Sequence, residues 1–236
     1  MRDELVGATQ PMLSILLDPG ESIIGGVNRF AWMTDSIEME IIDETGMCVY
    51  TATGEPGVIA FASHRPGSIL TVEVGPDDEA YLVRTADIMA RTAGVQLQPF
   101  SPDEHDLARC RIGGCGRAWV GLAGDVVRRG LTPGQSLRAH PEHIAMFDSS
   151  IAIQVTQVQG TAASDRGYPC AVLSGPGVVW LQSHPSATER LPQPSKVPPS
   201  TFRLTPLTAG LRSRNATAST TSAIWASRPQ GVRATT

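Results

Sequence analysis

Five histidines and four cysteines are the side chains of this 236-residue chain with the chemistry to ligate a metal or attack a substrate. The histidines are His64, His105, His140, His143 and His184. His140 and His143 flank Pro141-Glu142, and His64 and His184 each follow a serine. A zinc or iron site needs three or four such donors to converge. No His-x-His pair is present, and Pro141 interrupts any helix that would put His140 and His143 on one face. Cys110 and Cys115 are spaced too loosely for a zinc knuckle; with Cys48 and Cys170 they make a four-thiolate set only if the fold gathers them. Small apolar filler is the role expected of them. A Gly-x-Ser-x-Gly elbow is missing, and neither Gly113-Gly114-Cys115-Gly116 nor Gly121-Leu122-Ala123-Gly124 precedes Lys-Ser/Thr. The expectation is a non-enzyme with no cofactor and no metal, His64, His140, His143 and His184 being the weak metal candidates.

The elements that would position these residues are set by an internal repeat. LDPGESIIGGVNRFAWMTDSIEMEI, from Leu17 to Ile41, aligns without a gap with LTPGQSLRAHPEHIAMFDSSIAIQV, from Leu131 to Val155. Pro19 falls on Pro133, Gly20 on Gly134, Ser22 on Ser136, Ala31 on Ala145 and Ile37 on Ile151. A worn third copy runs from Gly75 to Gln98, with Tyr81 on Ile23 and Leu137, Ile88 on Phe30 and Ile144, and Asp77-Asp78 in place of Pro-Gly. Each copy is trailed by a Gly/Pro turn and an apolar run: Glu55-Pro56-Gly57-Val58-Ile59, Gly114-Cys115-Gly116-Arg117-Ala118 and Gly175-Pro176-Gly177-Val178-Val179. Short runs rich in β-branched residues with Gly/Pro punctuation predict strands. The fold class expected is therefore all-β: three pseudo-repeats of short double-stranded β-helix or β-sandwich type.

The repeats place one domain at 11–185, with units at about 11–65, 66–124 and 125–185. Pro19-Gly20 and Pro133-Gly134 predict type I or II turns, Gly57 and Gly177 open the trailing strands, and Ser22 and Ser136 could bond to the turn backbone. Glu21, Glu79 and Gln135 share one repeat position, either as a polar ring about a pseudo-threefold axis or as local turn groups. Strict alternation in Ile37-Glu38-Met39-Glu40-Ile41 predicts one buried and one wet face. Cys110–Gly116 reads as a Gly-rich turn.

Residues 186–236 are Pro, Ser, Thr, Ala and Arg-rich and carry seven basic residues against one acid, a net charge of +6; the remainder has 12 basic and 22 acidic residues, net −10. The tail lacks the apolar periodicity that offsets ordering entropy and is expected to be disordered. An acidic body predicts no specific nucleic-acid binding, because phosphates need a concentrated positive field. The basic tail allows weak contact with nucleic acid or an anionic membrane surface. No signal peptide or membrane span is legible, and four unpaired cysteines suit a reducing compartment, so a cytoplasmic location is expected.

The PGES…I-E-M-E stretch, GEPGVIAFAS, LTPGQSL…H-I-A-M-F-D-S-S-I and SGPGVVWLQS resemble the Altered Inheritance of Mitochondria family, number twenty-four, over about residues 11–185. The resemblance implies a fold similar to the tryptophan RNA-binding attenuation protein, homo-oligomer formation and a scaffold role, with no catalytic residues to carry over. Typical members have a Gly- and Leu-rich insertion where this chain has only Ile42–Gly54, which is polar. The function expected is a soluble oligomeric scaffold or interaction protein. The alternatives are a small-ligand or metal-binding β-helix protein, or nucleic-acid or membrane association through the tail.

Overall fold

A computed structural model describes residues 1–42, 46–75, 80–100, 109–158 and 168–185. Asp77, Asp78, Glu79, His105 and the 186–236 tail lie outside the described residues.

Among the described residues, strand β1 (Arg2–Val6) precedes three units of six strands each. The first unit holds β2 (Met12–Leu17), β3 (Ser22–Gly26), β4 (Phe30–Met33), β5 (Ile37–Ile41), β6 (Met47–Ala52) and β7 (Gly57–Ala62). The second holds β8 (Gly67–Val74), β9 (Tyr81–Arg84), β10 (Ile88–Arg91), β11 (Val95–Phe100), β12 (Arg109–Gly114) and β13 (Gly116–Ala123). The third holds β14 (Val126–Leu131), β15 (Ser136–Ala139), β16 (Ile144–Asp148), β17 (Ala152–Val158), β18 (Tyr168–Ser174) and β19 (Gly177–Gln182). A single 3-10 turn sits between the second and third strands of every unit, at Val27–Arg29, Thr85–Asp87 and Pro141–His143. The expected repeat is thus present strand for strand. Cys110–Gly116 is a correction: Cys110 to Gly114 continue β12, because pairing with β9 and β11 supplies the backbone partners a turn would lack.

The units are joined by exchange. Each six-stranded sheet takes the fourth, fifth and second strands of one unit and the third, sixth and first strands of the next, in the orders β5-β6-β3-β10-β13-β8 and β11-β12-β9-β16-β19-β14. The chain ends leave two partial sheets, β1-β2-β7-β4 and β15-β18-β17. All strand pairs are antiparallel, and every third strand carries the same irregularity against its sixth strand, at Phe30/Trp32, Ile88/Ala90 and Ile144/Met146. An extra residue at one place in each copy marks a bulge built into the repeat.

The core lies in layers between successive sheets. The first layer joins Leu13, Leu17 and Phe61 to Tyr50, Met89, Ala90 and Trp119. The second joins Val72 and Val120 to Val83, Ile112, Ala145 and Met146. The third joins Leu82, Phe147 and Val179 to Ala171 and Leu173, with Leu137, Ala139 and Ile153 only partly buried. Alternation explains most of this: β2 and β6 bury every second side chain.

β5 departs from that rule. Ile37 is buried, but Met39 and Ile41 are 42% and 62% exposed. This corrects the expectation of a buried Ile-Met-Ile face. β5 is the outermost strand of its sheet, and alternation buries a face only where another layer covers it.

Candidate functional site

The repeat makes the same backbone edge interior in two units and terminal in the third. The third strand of unit two, β10, pairs with the second strand of unit one, β3 (Ala90 with Gly25, Arg91 with Ile24). The third strand of unit three, β16, pairs with β9 at the equivalent positions (Met146 with Val83, Phe147 with Leu82, Asp148 with Tyr81). The third strand of unit one, β4, is the last strand of its sheet. Met89, Ala90, Ala145 and Met146 are accordingly buried, whereas their counterparts Ala31 and Trp32 are exposed, Trp32 by 46%. At the opposite end of the chain β15 is also terminal. Its Arg138 is exposed where the equivalent Leu82 is buried.

The pair between third and sixth strands always includes one tryptophan: Trp32 with Ala60, Ala90 with Trp119, Met146 with Trp180. Trp119 is fully buried in the first core layer and Trp180 packs on the second, where its ring meets Tyr81 edge-on at 5.9 Å. Trp32 alone of the three has no layer over it among the described residues.

Charged groups stitch the unit junctions. The Arg29 guanidinium donates to the Ala86 carbonyl of the next 3-10 turn. Arg109 is buried, donates to the Ile144 carbonyl at 2.9 Å and lies 5.3 Å over the Phe147 ring. Burial lowers its pKa to about 10. The buried Asp87 carboxylate is 3.8 Å from Arg84. Burial raises its pKa against the opposing pull of Arg84, Arg65, Arg29 and Arg109. No local pattern in the sequence singles these residues out, because each contacts a group in another unit or another element.

The turn residues act locally. The Glu21 amide donates to the Asp18 carbonyl at 2.9 Å, and Gly20 has φ +83°. Glu21 Oε2 accepts from the Asp18 amide at 2.9 Å, and Gln135 Oε1 accepts from the Thr132 amide at 3.0 Å. Glu21 and Gln135 therefore brace equivalent turns rather than meeting on an axis. Gly134 matches Gly20, with φ +82°. A Pro-Gly pair with positive φ at the second central residue is a type II turn. Ser136 Oγ pairs across strands with Ser174 Oγ at 2.9 Å, so it does not bond to the turn. Gly57 and Gly177 pack on the equivalent isoleucines: an added Cβ would lie 2.5 Å from Ile37 Cδ1 and 2.9 Å from Ile151 Cγ1.

Of the histidines, His140 and His143 come together, with ring centroids 6.0 Å apart. Pro141 starts the 3-10 turn instead of interrupting a helix, which corrects the sequence expectation; a proline's fixed φ suits a first helical position. Both imidazoles have backbone partners: His140 Nδ1 accepts from the Glu142 amide at 3.3 Å, and His143 Nδ1 lies 2.9 Å from the Gln182 carbonyl oxygen. His64 and His184 follow β7 and β19, which belong to different sheets. Cys48 and Cys110 are buried, Cys115 is exposed and Cys170 is intermediate, all as free thiols. Among the described residues no group of three or more His, Cys, Asp or Glu is placed to hold a metal ion. A cleft of about 420 Å³ has Leu82, Phe100, Ser149 and Ile153 in its wall, with Arg111 as its one charged lining residue among the described residues. No helix among the described residues is long and apolar enough to cross a membrane.

A family profile described as mitochondrial biogenesis AIM24 matches residues 4–184. The chain belongs to the AIM24 family. The match spans all three units, so the repeat is the family's domain and not an addition to it. No curated protein matches significantly. A crystal structure of a Streptococcus pyogenes protein is similar to this AIM24 member with a TM-score of 0.67 at 14% identity, over 78% of this chain and 94% of that one. Likeness at that identity shows the fold alone.

Proposed function

We propose that the protein is a non-catalytic, soluble scaffold that works as an oligomer. The reading is carried by one observation: a strand buried in two copies of the repeat, β10 and β16, is exposed in the first copy as β4. An exposed edge strand is a template for pairing with another chain, and a large exposed aromatic at its centre is the residue type that anchors interfaces. Native mass spectrometry of the full-length protein tests the reading. Multiples of the 25.1 kDa chain mass are expected; a single 25.1 kDa species at micromolar concentration would overturn it.

A further inference from the structure

We infer that copies of this chain associate head to tail, β4 of one copy pairing antiparallel with β15 of the next and Trp32 entering the third core layer of that neighbour. The inference deepens the oligomer reading and rests on it.

The chain already makes this junction twice. In both cases the third strand of a unit adds to the second strand of the unit before it, in one register. Among the described residues one copy of each half is unused: a third strand without a preceding unit, β4, and a second strand without a following unit, β15. Carrying the register over by repeat position pairs Trp32 with Ala139, Met33 with Arg138 and Thr34 with Leu137. The core layers agree. The following unit contributes Met89, Ala90 and Trp119 to the first layer, and Ala145, Met146 and Trp180 to the second. Among the described residues the third layer has no such contribution, and Leu137, Ala139, Ile153 and Val155 are only partly buried there. Residues paired across antiparallel strands share a face, so Trp32, at the repeat position of Ala90 and Met146, projects toward the layer that is incomplete. A neighbour's Ala31 and Trp32 are the counterparts of what it lacks.

Such a contact is heterologous. It joins two different surfaces, so each copy offers one edge to each of its neighbours and the contact propagates into a closed ring or an open filament. Self-pairing of β4 with β4 would be the isologous alternative.

Cross-linking separates these arrangements. Two full-length proteins are made in a background with Cys115→Ser and Cys170→Ser, one carrying Met33→Cys and the other Arg138→Cys. Antiparallel neighbours place Cα atoms within the roughly 4.4–6.8 Å that a disulfide spans. The expected result is a covalent dimer on mild oxidation of the mixture, with neither protein cross-linking to itself. Should Met33→Cys impair folding, Thr34→Cys with Leu137→Cys tests the same register. As a second readout, Trp32→Ala is expected to raise the dissociation concentration at least tenfold while circular dichroism stays that of the parent, with Trp32→Phe recovering part of the loss. An oligomer in which the Met33→Cys protein links to itself, or in which no mixed pair links and Trp32→Ala changes nothing, overturns head-to-tail pairing and leaves the oligomer reading standing. A protein that is monomeric throughout overturns both.

Discussion

Replacing Ile37 and Ile41 separately by Asp measures how the tertiary structure divides one alternating strand. Both residues occupy the same face of β5 by period, yet Ile37 is 4% exposed and Ile41 62%. Ile37 belongs to the first core layer and lies directly beneath Gly57, where an added Cβ would already fall within 2.5 Å of its Cδ1. Ile37→Asp forfeits the burial of an isoleucine side chain, about 2–3 kcal/mol. It also places a carboxylate where the surrounding layer is aliphatic and aromatic, a desolvation loss of at least a further ~2 kcal/mol. The sum is about 4–5 kcal/mol, the size associated with introducing an unpaired buried polar group. At Ile41 the side chain stays in water, and a surface change is worth roughly ±0.5 kcal/mol. Urea unfolding at fixed protein concentration, followed by tryptophan fluorescence, reads the difference. With a slope of roughly 2 kcal/mol/M, the Ile37 variant loses about 2 M in midpoint and the Ile41 variant almost nothing. Equal losses at the two positions would refute the reasoning, because they would mean that the outer part of β5 is covered as well. Ile151→Asp, at the equivalent position beneath Gly177, is expected to match Ile37→Asp.

Gly20→Ala and Gly134→Ala should each cost about 1–2 kcal/mol from positive φ alone, since an added Cβ meets nothing within 4 Å at either place; an unchanged melting temperature in both would refute the turn assignment. Gly25→Ala, at ordinary φ, should lose at least as much, because its Cβ would stand 2.5 Å from the Phe61 ring; thermal unfolding reads all three. A thiol reagent at pH 8 should modify Cys115 promptly and leave Cys48 and Cys110 unmodified until the protein unfolds, since both are buried and burial pushes the Cys110 thiol up; prompt loss of all four thiols would contradict the core layers. Burial also raises the Asp87 pKa above its unfolded value of 3.8. Its contribution to stability is therefore full below about pH 4 and is lost as pH rises through the folded value. The melting temperature of Asp87→Asn minus that of the parent should rise with pH across that window; a flat or falling difference would refute the sign.

The repeat, the strand content and the turns were legible in the sequence because each depends on residues close together in the chain. Pro19-Gly20 and Pro133-Gly134 specify their own backbone conformations, and equivalent spacing carries the six-strand pattern from unit to unit. β5 was misread because alternation reports which residues share a face and not whether a layer covers that face. The Cys110–Gly114 strand was misread because its glycines carry local turn character, which pairing to β9 and β11 overrides. Arg29, Asp87 and Arg109 had no local signature at all.

What the sequence by itself determined is a threefold all-β repeat with Pro-Gly turns of type I or II, since turn chemistry and hydrophobic alternation act over a few residues. What only the tertiary structure decided is that each unit completes its sheet with strands of the next. That exchange joins backbones some sixty residues apart, such as Gly25 to Ala90 and Val83 to Met146, and so it leaves no local trace. It also leaves the outer edges of the first unit's β4 and the third unit's β15 without a partner strand among the described residues, which turns two strands that look ordinary in the sequence into the exposed edges on which the functional reading rests.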